Sequence, residues 1–277
     1  MALRSRVPVT TKIAGGYLLF SVLWILLSDR VLAFAIPDAD TQNRVQTVKG
    51  LVFVLASAGL IYVLTRRYVG RVERQSEQLV EAYDQTLAGW AAALDIRDHS
   101  TGEHTQRVTA LTVELAESMG VSGDDLDDVR RGATLHDIGK MALPDGLLAK
   151  EDRLTEDEWA LIRQHPDLAV RMLTGISFLD GALVIPWCHH EKWDGSGYPR
   201  GLVGEQIPFP ARMFAVVDVF DALTSERPYR RPIPTAEALQ HIVAGSGSHF
   251  DPKVVTAFTA MMEARERRGL VDEGGRL

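Results

Sequence analysis

Two long uncharged runs constrain this chain more than any other feature. Ile13–Ser28 (IAGGYLLFSVLWILLS) carries no charge, and after Asp29-Arg30 the apolar character resumes through Ile36. Gly50–Thr65 (GLVFVLASAGLIYVLT) is also uncharged and lies between Lys49 and Arg66. A helix needs roughly 20 apolar residues to cross a bilayer. The first run reaches that length through Val31–Ile36, and Lys49 can snorkel to lengthen the second. The pattern predicts two transmembrane helices, at about 13–34 and 47–65, in a membrane module over residues 1–66. A pair of buried core helices is the competing reading. A cleaved signal peptide fits worse, because no small-residue cleavage site follows the first run and a second run comes soon after.

Basic residues orient the two spans. Arg4, Arg6 and Lys12 precede the first, and Arg66, Arg67, Arg71 and Arg74 follow the second. Positive charge marks the cytoplasmic side, so both flanks are expected there, with roughly residues 30–48 as a short outside loop, too small for a sensory domain. The expected location is a bacterial inner membrane, crossed more than once, with the remaining chain cytoplasmic. The single cysteine, Cys188, excludes an intrachain disulfide and suits a reducing compartment. A net charge of −7 argues against a nucleic-acid polymer as partner. It does not exclude a small anionic ligand, because the local field decides that.

Beyond Arg66 the chain reads as helices, and an all-α class is predicted. Over a linker at 67–93, Val72, Leu79, Tyr83, Thr86 and Trp90 recur at spacings of three, four and seven. That suits either a parallel coiled coil joining two protomers as a homodimer or a helix capping the next domain. Ser100 or Thr101 can cap a helix with the apolar face Val108, Leu111, Leu115 and Met119, stopping at Gly120. Ser122 opens a second, whose stripe Leu126, Val129, Ala133 continues through His136, Asp137 and Lys140. Thr155 and Glu158 form a capping box for a helix reaching His165 and ending at Pro166. Phe178–His190 reads as a helix kinked or delayed by Pro186. Ala211–Ser225 places Phe214, Val217, Asp218 and Asp221 on one face, and Thr235–Ala244 and Pro252–Arg268 complete the series.

The chemistry lies in a set of imidazoles and carboxylates: His104, the His136-Asp137 pair, His165, the His189-His190 pair and Asp218. Five of the eight histidines fall in this set. Such donors suit Fe, Mn or Zn, and their number points to more than one ion. An inward carboxylate such as Asp137 is expensive unless paired or on a metal, and its two oxygens suit it to bridge. Two metal ions about 3.5–4 Å apart would acidify a water and grip a phosphodiester, and Lys140, one turn past His136, can reach a phosphate oxygen. Asp221, one turn past Asp218, can orient a ligand. Gly197-Tyr198-Pro199 forms a loop whose glycines permit close backbone approach and whose ring can pack on a guanine or ribose. Arg227 and Arg230 can present guanidinium forks. His99, His241 and His249 lie outside the pattern, and Cys188 reads as packing.

The stretches TGEHTQRV, LHDIGK, RQHP, HHEKWDGSGYP, RMFAVVDVFDALTSERPYR and HFDPKVV resemble the HD-GYP subgroup of the HD-domain metal-dependent phosphohydrolases. The resemblance spans about Leu94–Phe258 and places a catalytic domain at 94–268, followed by a flexible tail at 269–277. It implies an all-helical fold and hydrolysis of cyclic di-GMP to pGpG or GMP, lowering that second messenger. Its implied metal ligands are His104, His136, Asp137, His165, His189, His190 and Asp218. Lys140 is implied to contact the substrate phosphate, and Tyr198 with its neighbours, Arg227 and Arg230 the dinucleotide. The cofactor expected is two divalent transition-metal ions, Fe or Mn. Some family members have a glutamate four residues before the first histidine that completes a third site. Here that residue is Ser100, a poor ligand. The segment YLLFSVLWILLSDRVL with QTVKG resembles a two-helix membrane module found ahead of bacterial signalling domains. Two alternatives remain: a catalytically silent cyclic di-GMP receptor, and a phosphohydrolase of another cyclic dinucleotide.

Overall fold

A computed structural model describes residues 9–35, 38–98, 104–150, 152–226 and 231–269. Its helices are α1 Val9–Ala35, α2 Ala39–Arg97, α3 His104–Ser118, α4 Asp124–Thr134, α5 Asp145–Leu148, α6 Glu156–Ile162, α7 His165–Leu173, α8 Val184–Cys188, α9 Phe209–Thr224, α10 Thr235–Ala244 and α11 Pro252–Arg267. Among the described residues there is no strand, only isolated bridges at Asp194–Val203 and Ser246–Phe250, so the all-α class holds. The chain divides into two compact units, Met1–Glu81 and Ala82–Leu277.

In the first unit α1 and the start of α2 form a hairpin. Asp38 ends the connection by capping α2, its carboxylate accepting the Thr41 N–H at 2.9 Å. Of the stretch 30–48, expected as the short outside loop, residues 30–35 and 39–48 are helical. The hairpin is held by Phe20 stacked on Phe53, with ring centroids 5.9 Å apart, by Trp24 beside both rings, and by an Asp29–Lys49 ion pair. Leu18, Leu19, Leu27, Phe34 and Leu55 point outward. Both helices are long and apolar enough to cross a membrane, by length and composition.

In the second unit the polarity is reversed. Val108, Leu111 and Leu115 of α3 pack against Met213, Phe214, Val217 and Phe220 of α9 and Val254, Phe258 and Met262 of α11. Full burial of each such side chain contributes roughly 1.5–3 kcal/mol. A second apolar group joins Leu87, near the end of α2, to Leu135, Ile138, Ala169, Leu173 and Leu179. The end of α2 thus serves as a cap of this domain.

Three local expectations are corrected. Helix α4 stops at Thr134, so His136 and Asp137 lie in a turn and Lys140 on the 3-10 segment Ile138–Ala142. Past the helix end the chain presses on the start of α7, and only glycine fits there: a Cβ at Gly139 would sit 1.9 Å from the His165 carbonyl oxygen. Pro166 opens α7 in its first turn, where its missing N–H costs nothing, and His165 is the first residue of that helix. The stretch 178–190 is two short pieces, Ser177–Leu179 and α8, with turns around them.

Candidate metal centre

Five segments converge on one spot. The turn after α4 brings Asp137 to 3.4 Å from His165 at the start of α7, measured from Oδ1 to Nε2. His189 caps the C-terminus of α8 and points its Nε2 to within 3.9 Å of the same Oδ1. His190 follows it. From the other side, His104 opens α3 and faces Asp218 on α9, with Nε2 to Oδ1 at 3.7 Å. The result is two donor groups that can each hold a metal ion, Asp137/His165/His189/His190 and His104/His136/Asp218, with the donor atoms of each within 4.8 Å of one another. Together they contain all seven residues singled out by the sequence. Asp137 serves both: its Oδ1 faces His165 and His189, while Oδ2 lies 3.2 Å from His136 Nε2.

Backbone carbonyls set the histidine tautomers. His136 Nδ1 donates to Ala133 O at 2.9 Å, His165 Nδ1 to Ile162 O at 2.8 Å, and His189 Nδ1 to Ile185 O and Pro186 O at 3.1 Å. A carbonyl only accepts, so each Nδ1 carries the proton and each Nε2 keeps a lone pair for the centre. His104 follows suit with a carboxylate, its Nδ1 2.7 Å from Asp221 Oδ2. Asp221 is in turn held by Arg107 at 2.7 Å. Although burial opposes its charge, His104 and Arg107 hold Asp221 down at about 2.

Titration follows the same logic. Burial, reinforced by neighbouring imidazoles, drives His189 well below the usual histidine range and His190 to about 4. Burial also lowers His165. All three are neutral donors at pH 7, the form a metal needs. His136 is buried too, but the Asp137 carboxylate outweighs that and raises it. Asp137 lies well below the usual carboxylate range, since Lys140 and His136 overcome its burial.

Lys140 Nζ lies 2.9 Å from Asp137 Oδ2 and 2.8 Å from Asp98 Oδ2. Asp98, at the end of α2, was not singled out by the sequence, and with its partner 42 positions away no local pattern exposes it. Glu191 was also missed. It is buried and accepts the Arg200 and Leu202 N–H groups at 2.7 and 3.0 Å, which anchors the Gly197-Tyr198-Pro199 loop. Gly197 is required by space: a Cβ would fall 2.3 Å from Lys192 N. This loop lays the Tyr198 ring on His190, with centroids 4.7 Å apart. Burial and the Asp137 charge push the Tyr198 hydroxyl upward, against Lys140 and Arg163. Cys188 is buried against Ile207 and Ala211, and burial raises its thiol to about 11. Ser100, Arg227 and Arg230 lie outside the described residues.

The model of the HD domain family matches residues 90–254, and the chain belongs to that family. A cyclic di-GMP phosphodiesterase of Vibrio cholerae is 34% identical over 269 residues, covering 91% of this chain and 54% of the relative. A cyclic di-GMP phosphodiesterase response regulator, RpfG, of Xanthomonas campestris is 40% identical over 189 residues, covering 68% of this chain and 50% of the relative. The chain thus spans about half the length of the curated relatives it matches. Among solved structures, a cyclic GMP-AMP-specific phosphodiesterase of Vibrio cholerae superposes with a TM-score of 0.53 at 21% identity, covering 65% of this chain and 49% of the other, and shares the fold.

Proposed function

We propose that this protein is a membrane-anchored, metal-dependent phosphodiesterase that hydrolyses cyclic di-GMP to pGpG or GMP. The observation carrying this reading is Asp137, with one oxygen turned to each of two donor groups and Lys140 on the same carboxylate. The relatives named as cyclic di-GMP phosphodiesterases support the substrate. Five imidazoles and two carboxylates suit two ions of Fe or Mn, held by His104, His136, Asp137, His165, His189, His190 and Asp218. Bound there, the ions would supply an acidified water and neutralise phosphate charge.

The chain's own residues do the rest. An ammonium has three donors; Asp98 and Asp137 occupy two on Lys140, leaving the third for a phosphate oxygen. That bond strengthens as charge develops in the transition state. Asp221 and the carbonyls of Ala133, Ile162 and Ile185 hold four imidazoles in the donor tautomer. Tyr198, Gly197 and Pro199 form a wall against the dinucleotide, with Arg227 and Arg230 as further contacts. In this reading α1 and the apolar start of α2 anchor the enzyme in the inner membrane with its catalytic domain in the cytoplasm, and the exposed Val72, Leu79 and Trp90 of α2 meet a second copy.

A silent receptor would not need Lys140 aligned on Asp137. The test is incubation of metal-loaded full-length protein with cyclic di-GMP, with products resolved by chromatography. Linear pGpG or GMP is expected. Tight binding without product would instead make the protein a receptor, and preferential cleavage of cyclic GMP-AMP would change the substrate.

A further inference from the structure

Arg163 lies beside the centre with no role in the chemistry above. It is the C-cap residue of α6, two positions before His165, and its side chain is exposed. Arg107, Arg131 and Arg212 of the same domain are each tied to a carboxylate. Arg163 has no ion-pair partner among the described residues. Its guanidinium instead lies over the Tyr198 ring, 5.8 Å from the centroid, and that ring stacks on His190. Arg163 is therefore one aromatic ring removed from the donor groups.

We propose that Arg163 reads a guanine of the cyclic dinucleotide, its guanidinium fork donating to O6 and N7. This rests on the cyclic dinucleotide reading given above. The reacting phosphate belongs at Lys140 and the two donor groups, and a position one ring further out is reached by the attached base. A guanidinium supported by its face on Tyr198 keeps its N–H edge free, and that edge is a planar pair of donors. Guanine offers a matching pair of acceptors, whereas adenine offers one acceptor beside an amino donor that opposes the second arm. Arg163 thereby becomes a specificity-determining residue.

The experiment uses metal-loaded full-length protein and measures hydrolysis and equilibrium binding separately, for cyclic di-GMP and cyclic di-AMP. Arg163→Ala should weaken binding and raise KM for cyclic di-GMP by about tenfold or more, with kcat and cyclic di-AMP binding within about twofold of wild type. Arg163→Lys should not restore the loss, because a point charge cannot fork. An unchanged thermal midpoint in both variants excludes a folding defect, as expected for an exposed side chain. Equal loss on both ligands, rescue by lysine, no loss, or a wild type that binds neither or prefers neither would overturn the proposal. Binding of cyclic di-GMP without hydrolysis would fail the enzymatic reading alone, and the dissociation constants would still decide the role of Arg163.

Discussion

The two units of this chain bury opposite things. In the first, Leu18 is 64% exposed and Phe34 95%, and among its described residues the buried ones are Leu32 and Ser57. In the second, Phe214, Phe220 and Phe258 are wholly enclosed, and so, nearly, are the polar His136, His165, His189, Glu191 and Asp221. The first arrangement costs dearly in water and suits hydrocarbon surroundings. The second places titratable groups where water cannot screen them, which is costly unless every one has a partner. Each of those five has one, and the imidazole Nε2 atoms left over point at the two donor groups. An apolar exterior thus fits two candidate membrane spans, and a polar interior fits a candidate metal centre.

The sharpest contrast comes from truncating one apolar side chain in each unit. Phe258→Ala should destabilise the second unit by about 3–5 kcal/mol, read as a lower urea midpoint. Next in size is Asp137→Asn, which removes the charge shared by both donor groups. It should lower hydrolysis by on the order of a hundredfold or more, about 2.7 kcal/mol of barrier, without moving the urea midpoint comparably.

Asp221→Asn should cost about 2 kcal/mol at neutral pH, from a carboxyl held at about 2 against an ordinary value near 3.9. Because its folded pKa is depressed, Asp221 stabilises the wild type above the unfolded value and loses that effect as pH falls. The gap between wild type and variant should therefore be full above about pH 5, narrow as pH falls towards the folded value of about 2 and close by about pH 1, in midpoints followed across that range. The smallest change is expected for Leu18→Ala. It should leave the unfolding stability of the second unit, read from its urea midpoint, within about 0.5 kcal/mol of wild type, while the protein stays in the membrane fraction through high-salt washing. Release by salt would mean that surface charge rather than apolar helices holds the protein there.

How much of this was legible in the sequence depends on how local each signal is. Helix α10 was read to the residue, and the Thr155–Glu158 capping box is present with both of its hydrogen bonds. Both signals lie within one segment. The seven donor residues were legible because their chemical types are rare together and recur in a known order. The helix break before His136 was not, because the stripe continues at helical spacing and the contact that follows the break, Gly139 against a carbonyl 26 positions later, is not local. Pro166 misled for a related reason: proline ends one helix as readily as it begins the next. Asp98 and Glu191 escaped because an acidic residue in a polar segment looks solvated until its distant partners are seen.

Asp137 turns one oxygen toward each of two donor groups, and counting bound ions tests whether it serves both. Metal-saturated full-length protein should carry about two divalent transition-metal ions per chain by elemental analysis, and Asp137→Asn should lose affinity at both sites together. A wild type carrying three ions or one, or an Asp137→Asn protein that retains both ions as tightly, would contradict that shared role.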